Sequence, residues 1–483
     1  MKILKSNWLL ILGFISLAFA IRIRRLNDSI FEISEWRQAQ TAFGIKSIAE
    51  NNLNILEAQV PLFGPPWKVP FEFPIYQWIS ALFSNLFNLS PDFSGRLVGT
   101  IFFLATSIAL YKLVKNLAGN FSALVSLPIF LFSSFGIQWG STVLIEWPST
   151  AFLLWGLYFL IKHVEMDKVF SLWLAASIVF IGTASLIKIT TTIPWVIAFS
   201  LYLAPKTFSK KQLKIWATWI LGIAGSYLPT FAWTSYADSI KSQNPLTVWL
   251  TSDNLSEWNF GTIRQRIDPE TWFAITKTAD QTIFGSLILF FTVTIIYILT
   301  NNKNQKEFLL FFSISGLGLL LFTNLYWAHM YYLAAIYPAM VAVIAIVFTG
   351  LLKDYSNRLQ KLAVAIPIVI ILFLGYITDL GRFYLQNFRT DAGIPVASQL
   401  ILDNTPEDSK IIIMGCDWDP HKLYFANRKG LMLLSNRFPE IPIEAYKLND
   451  YDYFYACNEE IKAFIPSSLN LREIKDNLYQ IIK

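Results

Sequence analysis

The sequence predicts a polytopic α-helical membrane protein that ends in a small α/β domain. Three observations lead there. Of 483 residues, 54% are hydrophobic and only 15% charged, a balance too apolar for one soluble core. The apolar residues fall into about eleven runs long enough to cross a bilayer, near 8–21, 96–113, 121–137, 148–162, 169–187, 190–204, 215–232, 283–300, 308–324, 332–351 and 362–380. Residues 390–483 return to a soluble composition.

Charge then orients these runs. The net charge is +6 with a pI near 9.0, but the cations sit in short clusters between apolar runs and form no single basic face, which excludes a nucleic-acid footprint. With Lys2 and Lys5 cytoplasmic, the inner loops hold Lys112 and Lys115, Lys162 and Lys168, Lys206 to Lys214, Lys303 and Lys306, and Lys353 to Lys361. The loops at 138–147 and 325–331 hold no Lys or Arg. This is the positive-inside pattern, and an odd number of spans places the C-terminal tail outside. Arg22, Arg24 and Arg25 run against it, just after an Ala18-Phe19-Ala20 stretch that resembles a signal-peptidase site. The later loops outweigh them, so the first span reads as an uncleaved signal anchor with its arginines at the outer headgroups. The chain divides into a membrane domain, 1–380, with external loops 22–95 and 233–282, and an extracytoplasmic domain, 381–483.

In the first external loop, spacing over 36–50 puts Ala39, Ala42, Phe43, Ile45 and Ile48 on one stripe, which predicts an amphipathic helix lying on the bilayer. Ser34 can cap its start. Pro61, Pro65, Pro66, Pro70 and Pro74 forbid regular structure until Ile75, where a second surface helix begins and runs to Phe87. Pro91-Asp92 opens the next span, with Arg96 near its outer end.

The motifs lie in a telling order: an external acid beside Trp36-Arg37-Gln38-Ala39, a Pro-rich loop, Glu72-Phe73-Pro74-Ile75-Tyr76-Gln77-Trp78, then Gly95-Arg96-Leu97. Glu146-Trp147-Pro148, Leu186-Ile187-Lys188 and His329-Met330-Tyr331-Tyr332 with Pro338 follow. Over about 8–380 this order resembles the GT-C glycosyltransferases, in the branch of protein O-mannosyltransferases and lipid A aminoarabinose transferases. The resemblance implies a polyprenyl-phosphate sugar as donor, a lipid, glycan or protein as acceptor, and transfer on the external face. Members of that family carry an Asp or Asp-Glu pair in the first external loop; here the acids are Glu32 and Glu35.

Transfer from a lipid phosphate needs a carboxylate within reach of the acceptor proton and positive charge aimed at the leaving phosphate. Glu35 is the expected base, with Glu32 its rival and Glu146 the third acid, since a charge at membrane depth marks a functional site. Arg37 can fork two phosphate oxygens or pair with Glu72, which sits between Phe71 and Phe73. Arg96, Lys188, Arg264, His329, Tyr331 and Tyr332 complete the substrate-binding set; for His329 and the tyrosines an interfacial aromatic belt is the plain alternative. This reading requires Glu35, Glu146 and Lys188 to share one outward cavity. A polytopic transporter or lipid flippase is the competing class, but no internal repeat appears and the span interiors carry almost no charge.

No nucleotide-binding Gly-rich loop, H-E-x-x-H or D-x-D occurs, so no cofactor is required and no motif indicates a divalent metal. In the tail, residues 410–415 and a Tyr451-to-Cys457 run read as strands, 420–430 as a helix and 431–434 as another strand, predicting a parallel α/β sheet. Cys416 and Cys457 can pair. His421 with Asp417 and Asp419 reads as a turn entering a helix before it reads as a site.

Overall fold

The computed structural model describes residues 2–207, 213–300, 304–353, 357–387, 393–416, 418–433, 446–465 and 469–483. These residues pack as two compact units, each built from three segments. The first gathers Met1–Leu26, Leu97–Ala232 and Ser256–Leu385; the second gathers Asn27–Arg96, Trp233–Leu255 and Gln386–Lys483.

The first unit is helical. Four helices in the described chain are long and apolar enough to cross a membrane: Pro91–Ala118, Leu172–Ala204, Leu213–Lys241 and Arg358–Leu385. A fifth candidate is the pair Pro269–Phe284 and Leu287–Leu299, bent by 80° at its break. Several of the other expected runs form shorter helices, because breaks within the runs divide them. The run at 121–137 splits at Ser133 into Asn120–Phe132 and Ser134–Trp139, and the run at 332–351 becomes a 3₁₀ turn, Met330–Ala335, followed by Tyr337–Lys353.

Lys188 breaks the helix Leu172–Thr207 with φ −163° and ψ 97°. One arm starts where His163 Nδ1 meets Ser171 at 2.9 Å, and the other ends where Tyr202 and Leu203 share a cavity with Ile161 and Glu165. Both arms thus return to the same end of helix Glu146–Glu165, so the chain doubles back at Lys188. That reversal matches the two runs expected at 169–187 and 190–204.

Two of the three arginines at the end of the first helix, Arg22 and Arg25, are buried in protein, whereas Arg24 is exposed. Arg22 is fully buried and donates to the carbonyls of Leu131 (2.9 Å) and Gly136 (2.6 Å); the first lies at the helix end before the break at Ser133, and the second also accepts from the Gly140 amide at 3.0 Å. Arg25, also buried, donates to the carbonyl of Gln138 at 3.2 Å. Hydrogen bonding to a broken helix offsets the cost of burying these charges.

The second unit joins segments 27–96 and 233–255 to the tail around one core, with Phe43, Leu62, Phe63, Val69 and Leu250 packed among Ile411, Ile413, Leu431 and Phe454. Its sheet has five strands: β1 (Lys410–Met414), β2 (Lys429–Leu433), β3 (Tyr453–Ala456), β4 (Leu471–Lys475) and β5 (Leu478–Ile481). Their order is β2-β1-β3-β5-β4, parallel among the first three and antiparallel through β5 and β4. The expected parallel sheet is therefore a mixed one. The helix expected to end at Gly430 stops at Phe425, because Asn427 turns left-handed at φ 53° and Gly430 belongs to β2. That strand's free edge is covered by the Pro-rich loop: the Gly430 amide donates to Pro61 at 3.0 Å and the Met432 amide to Leu62 at 2.8 Å. A disulfide joins Cys416 to Cys457 at the carboxyl ends of β1 and β3.

The first-loop helix forms as Glu35–Glu50, but it is not an amphipathic surface helix. Arg37 to Ile45 are all buried, polar residues included, since the helix packs inside the second unit against Ile75–Phe87 and the His421 helix. Nor does Ser34 cap it by its side chain: Ser34 is left-handed at φ 52°, and its carbonyl accepts from the amides of Arg37 and Gln38.

Candidate functional site

In the first unit, helix Glu146–Glu165 begins with the sequence Glu146-Trp147-Pro148. Proline suits an early helical position because its missing amide has no partner there anyway, so the carboxylate is held at a rigid helix start. Trp147 fixes the turn, its indole donating to the Trp139 carbonyl at 2.7 Å. Opposite stands the break at Lys188. A non-helical residue leaves nearby carbonyls unbonded, and Ser149 supplies the missing donor, its hydroxyl lying 3.0 Å from the Ala184 carbonyl and 3.4 Å from that of Lys188.

The Lys188 ammonium donates to Glu146 Oε1. Both side chains are almost fully buried, at 5% and 2% exposure. The ammonium also lies 4.1 Å from the Tyr332 ring centre and 5.4 Å from that of Tyr331, where the ring faces attract a cation. His329 stacks on Tyr331 with centroids 5.3 Å apart and planes 11° apart, and Trp258 lies 5.7 Å beyond it. Five residues from three distant segments (Glu146; Lys188; His329, Tyr331 and Tyr332) thus form one cluster. Glu146 Oε2 is buried and has no hydrogen-bond partner among the described residues, and a carboxylate oxygen left so is costly unless something else fills the place.

The same unit holds an apolar cavity of about 700 Å³, lined by side chains such as Phe14, Val125, Phe132, Phe290, Val347 and Leu372. Arg264 lies apart from the cluster, exposed on the short helix Ile263–Ile267, whereas its neighbour Arg266 donates to the carbonyls of Leu320 (2.9 Å) and Phe260 (2.5 Å).

The second unit holds four of the other predicted residues in two separate pairs. Arg96 donates to Glu32 at 2.8 Å and to the carbonyls of Ser29 (2.8 Å) and Asp28 (3.1 Å), tying the loop before helix Glu35–Glu50 to the head of Pro91–Ala118. Arg37 donates to Glu72 at 2.8 Å and to Gln40 at 2.7 Å. This second pair edges a cavity of about 40 Å³ with Lys68, Trp233 and Tyr236, space for a few waters. Glu35, half-buried, is the first residue of its helix. Around the sheet, Asp419 meets His421 and Lys422, and Asp417 lies outside the described residues. Burial works to raise the Asp419 carboxyl, but hydrogen bonds and charge from His421 and Lys422 outweigh it and hold the group below its ordinary value.

Sequence reading named the charged residues and missed their supports. Ser149, Trp139 and Gln40 carry no motif; only the i, i+3 spacing of Ser149 from Glu146, on one helix face, signals that it shares the site.

The profile described as dolichyl-phosphate-mannose-protein mannosyltransferase matches residues 68–233. Over 99% of this chain and 98% of the other, the structure is similar to ArnT from Cupriavidus metallidurans bound to undecaprenyl phosphate, with a TM-score of 0.63 and 11% identity. The fold is that of a GT-C glycosyltransferase. Within the GT-C class it is also similar to the archaeal oligosaccharyltransferase AglB from Archaeoglobus fulgidus, in complex with an inhibitory peptide and a dolichol-phosphate; the TM-score is 0.57 at 12% identity, covering 95% of this chain and 70% of the other. No curated protein matches the sequence. Among the described residues, no three His, Cys, Asp or Glu side chains stand together as a metal site.

Proposed function

We propose that this protein is an integral membrane glycosyltransferase that moves a sugar from a polyprenyl-phosphate carrier to an acceptor hydroxyl on the extracytoplasmic face. The observation that carries the reading is the buried Glu146–Lys188 pair, set on tyrosine faces and left with one unfilled carboxylate oxygen. A phosphate arriving beside Lys188 exchanges one anionic partner for another, so the ammonium keeps a counter-charge throughout. In the reaction the bond from the sugar anomeric carbon to phosphate oxygen breaks, the acceptor oxygen bonds to that carbon, the acceptor proton goes to a carboxylate, and polyprenyl phosphate departs. Lys188 offsets the charge that grows on the leaving phosphate. Glu146 is then within reach to orient the acceptor, and His329 faces the same tyrosines. No cofactor enters these steps.

The apolar cavity of the same unit suits hydrocarbon. An extracytoplasmic second unit agrees with its disulfide, since such bonds persist in oxidising compartments. The test is to incubate the purified protein with a panel of radiolabelled polyprenyl-phosphate sugars and follow which is consumed. One consumed donor is expected; consumption of none by the folded protein sinks the reading. In the same assay Glu35→Gln is expected to leave the protein folded and abolish transfer, and near-normal turnover by that variant removes Glu35 from the role of base.

A further inference from the structure

In the second unit a cleft of about 430 Å³ opens between the first-loop helix, the end of helix Ile75–Phe87 and the turn after the His421 helix. Neither the sequence motifs nor the proposed transfer uses it. Its walls present Lys46, Glu50, Asn85, Tyr424, Phe425 and Asn427. We propose that this cleft binds a neutral saccharide, which, resting on the transferase reading above, is the sugar portion of the acceptor.

Size is the first argument, because clefts of a few hundred Å³ suit a small ligand of one or two rings. Charge is the second. The one cation is balanced: Lys46 Nζ lies 3.7 Å from Glu50 and also donates to the Asn427 carboxamide, which leaves little net field for a phosphate or an acidic peptide. What remains is aromatic surface and the carboxamide groups of Asn85 and Asn427 beyond the bonds they make to Ala49 and Lys46, the combination that meets hydroxyls and the apolar face of a sugar ring.

The platform is also held in place. Tyr424 packs edge-on against Phe43, with centroids 5.1 Å apart, and its hydroxyl donates to Asp92. Burial first, and then the neighbouring Asp92, push that hydroxyl well above its ordinary value, so it stays a donor. Asn427 is held left-handed at φ 53°. That conformation ends the His421 helix and sets the backbone from which the carboxamide projects.

The test uses the full chain in lipid nanodiscs and saturation-transfer NMR with lactose, cellobiose and mannobiose. Asn427→Gly removes one carboxamide while keeping the backbone, since glycine accepts positive φ; Asn85→Ala removes the other. At least one disaccharide is expected to give transfer, and each variant to weaken its binding by about fivefold to tenfold, the equivalent of a lost hydrogen bond. No transfer from any disaccharide to the parent chain, undiminished binding in Asn427→Gly, or displacement by inorganic phosphate at comparable concentration overturns the proposal. Donor hydrolysis followed in the same preparations is expected to be unchanged by Asn427→Gly. If hydrolysis is absent from the parent chain while disaccharide still binds, the transferase reading has failed and the cleft stands.

Discussion

Two buried ion pairs, one in each unit, behave differently. Arg96 is fully buried and its donors are spread over Glu32 and two backbone carbonyls. Lys188 is as deeply buried, yet it shares its charge between Glu146 and two ring faces, and one oxygen of Glu146 finds no partner among the described residues. A pair tied into the backbone on several sides is architecture. A pair that leaves one carboxylate oxygen unbonded can take a further partner, and exchange of partners is what binding and group transfer require.

The sharpest way to break this comparison is to remove Lys188. Lys188→Met with Glu146→Gln replaces both charges, so neither is stranded in the interior, and donor turnover is expected to fall on the order of 10²- to 10³-fold at near-parental thermal stability. Turnover close to the parent protein would make this pair architectural too. Arg96→Met should show the reverse profile. Stranding Glu32 costs about 3–5 kcal/mol of stability, read by denaturant titration, while turnover per folded molecule stays within about twofold of the parent, as befits a residue outside the chemistry.

Smaller effects sharpen the contrast by confining themselves to the second unit. Cys416→Ser should lower its stability by about 2–4 kcal/mol without altering the rate of donor consumption, measured side by side by thermal melting and turnover. The weakest effect belongs to Asp419. Its carboxyl is held below the ordinary value in the fold, so the stabilisation is present above the unfolded value near pH 4 and is lost as the pH falls through the lower folded value. A melting series across that range should show the parent losing stability and Asp419→Asn losing less.

The helices were largely legible because an apolar run long enough to span a bilayer has few other fates. Helices at 35–50 and 75–87 and strands at 410–414 and 453–456 fall where periodicity and proline placed them. Burial was not legible. Helix Glu35–Glu50 alternates polar and apolar residues as a surface helix does, and only packing from three distant segments covers both sides. Arg22 and Arg25 followed the rule for headgroup cations, and only a helix break more than a hundred residues away gave them carbonyls to hold.

The sequence by itself determined that the chain is a helical membrane protein with a small sheet, and which charged side chains were worth suspecting. Local composition and period suffice for both, because transfer of an apolar run from water and the cost of burying a charge are properties of the residues themselves. Tertiary structure alone decided which cation meets which acid, that segments 27–96 and 233–255 share one core with the tail, and that β4 and β5 close the sheet antiparallel. Those outcomes depend on contacts between residues far apart along the chain, whose closure is set by the whole fold and leaves no periodic mark in any one segment.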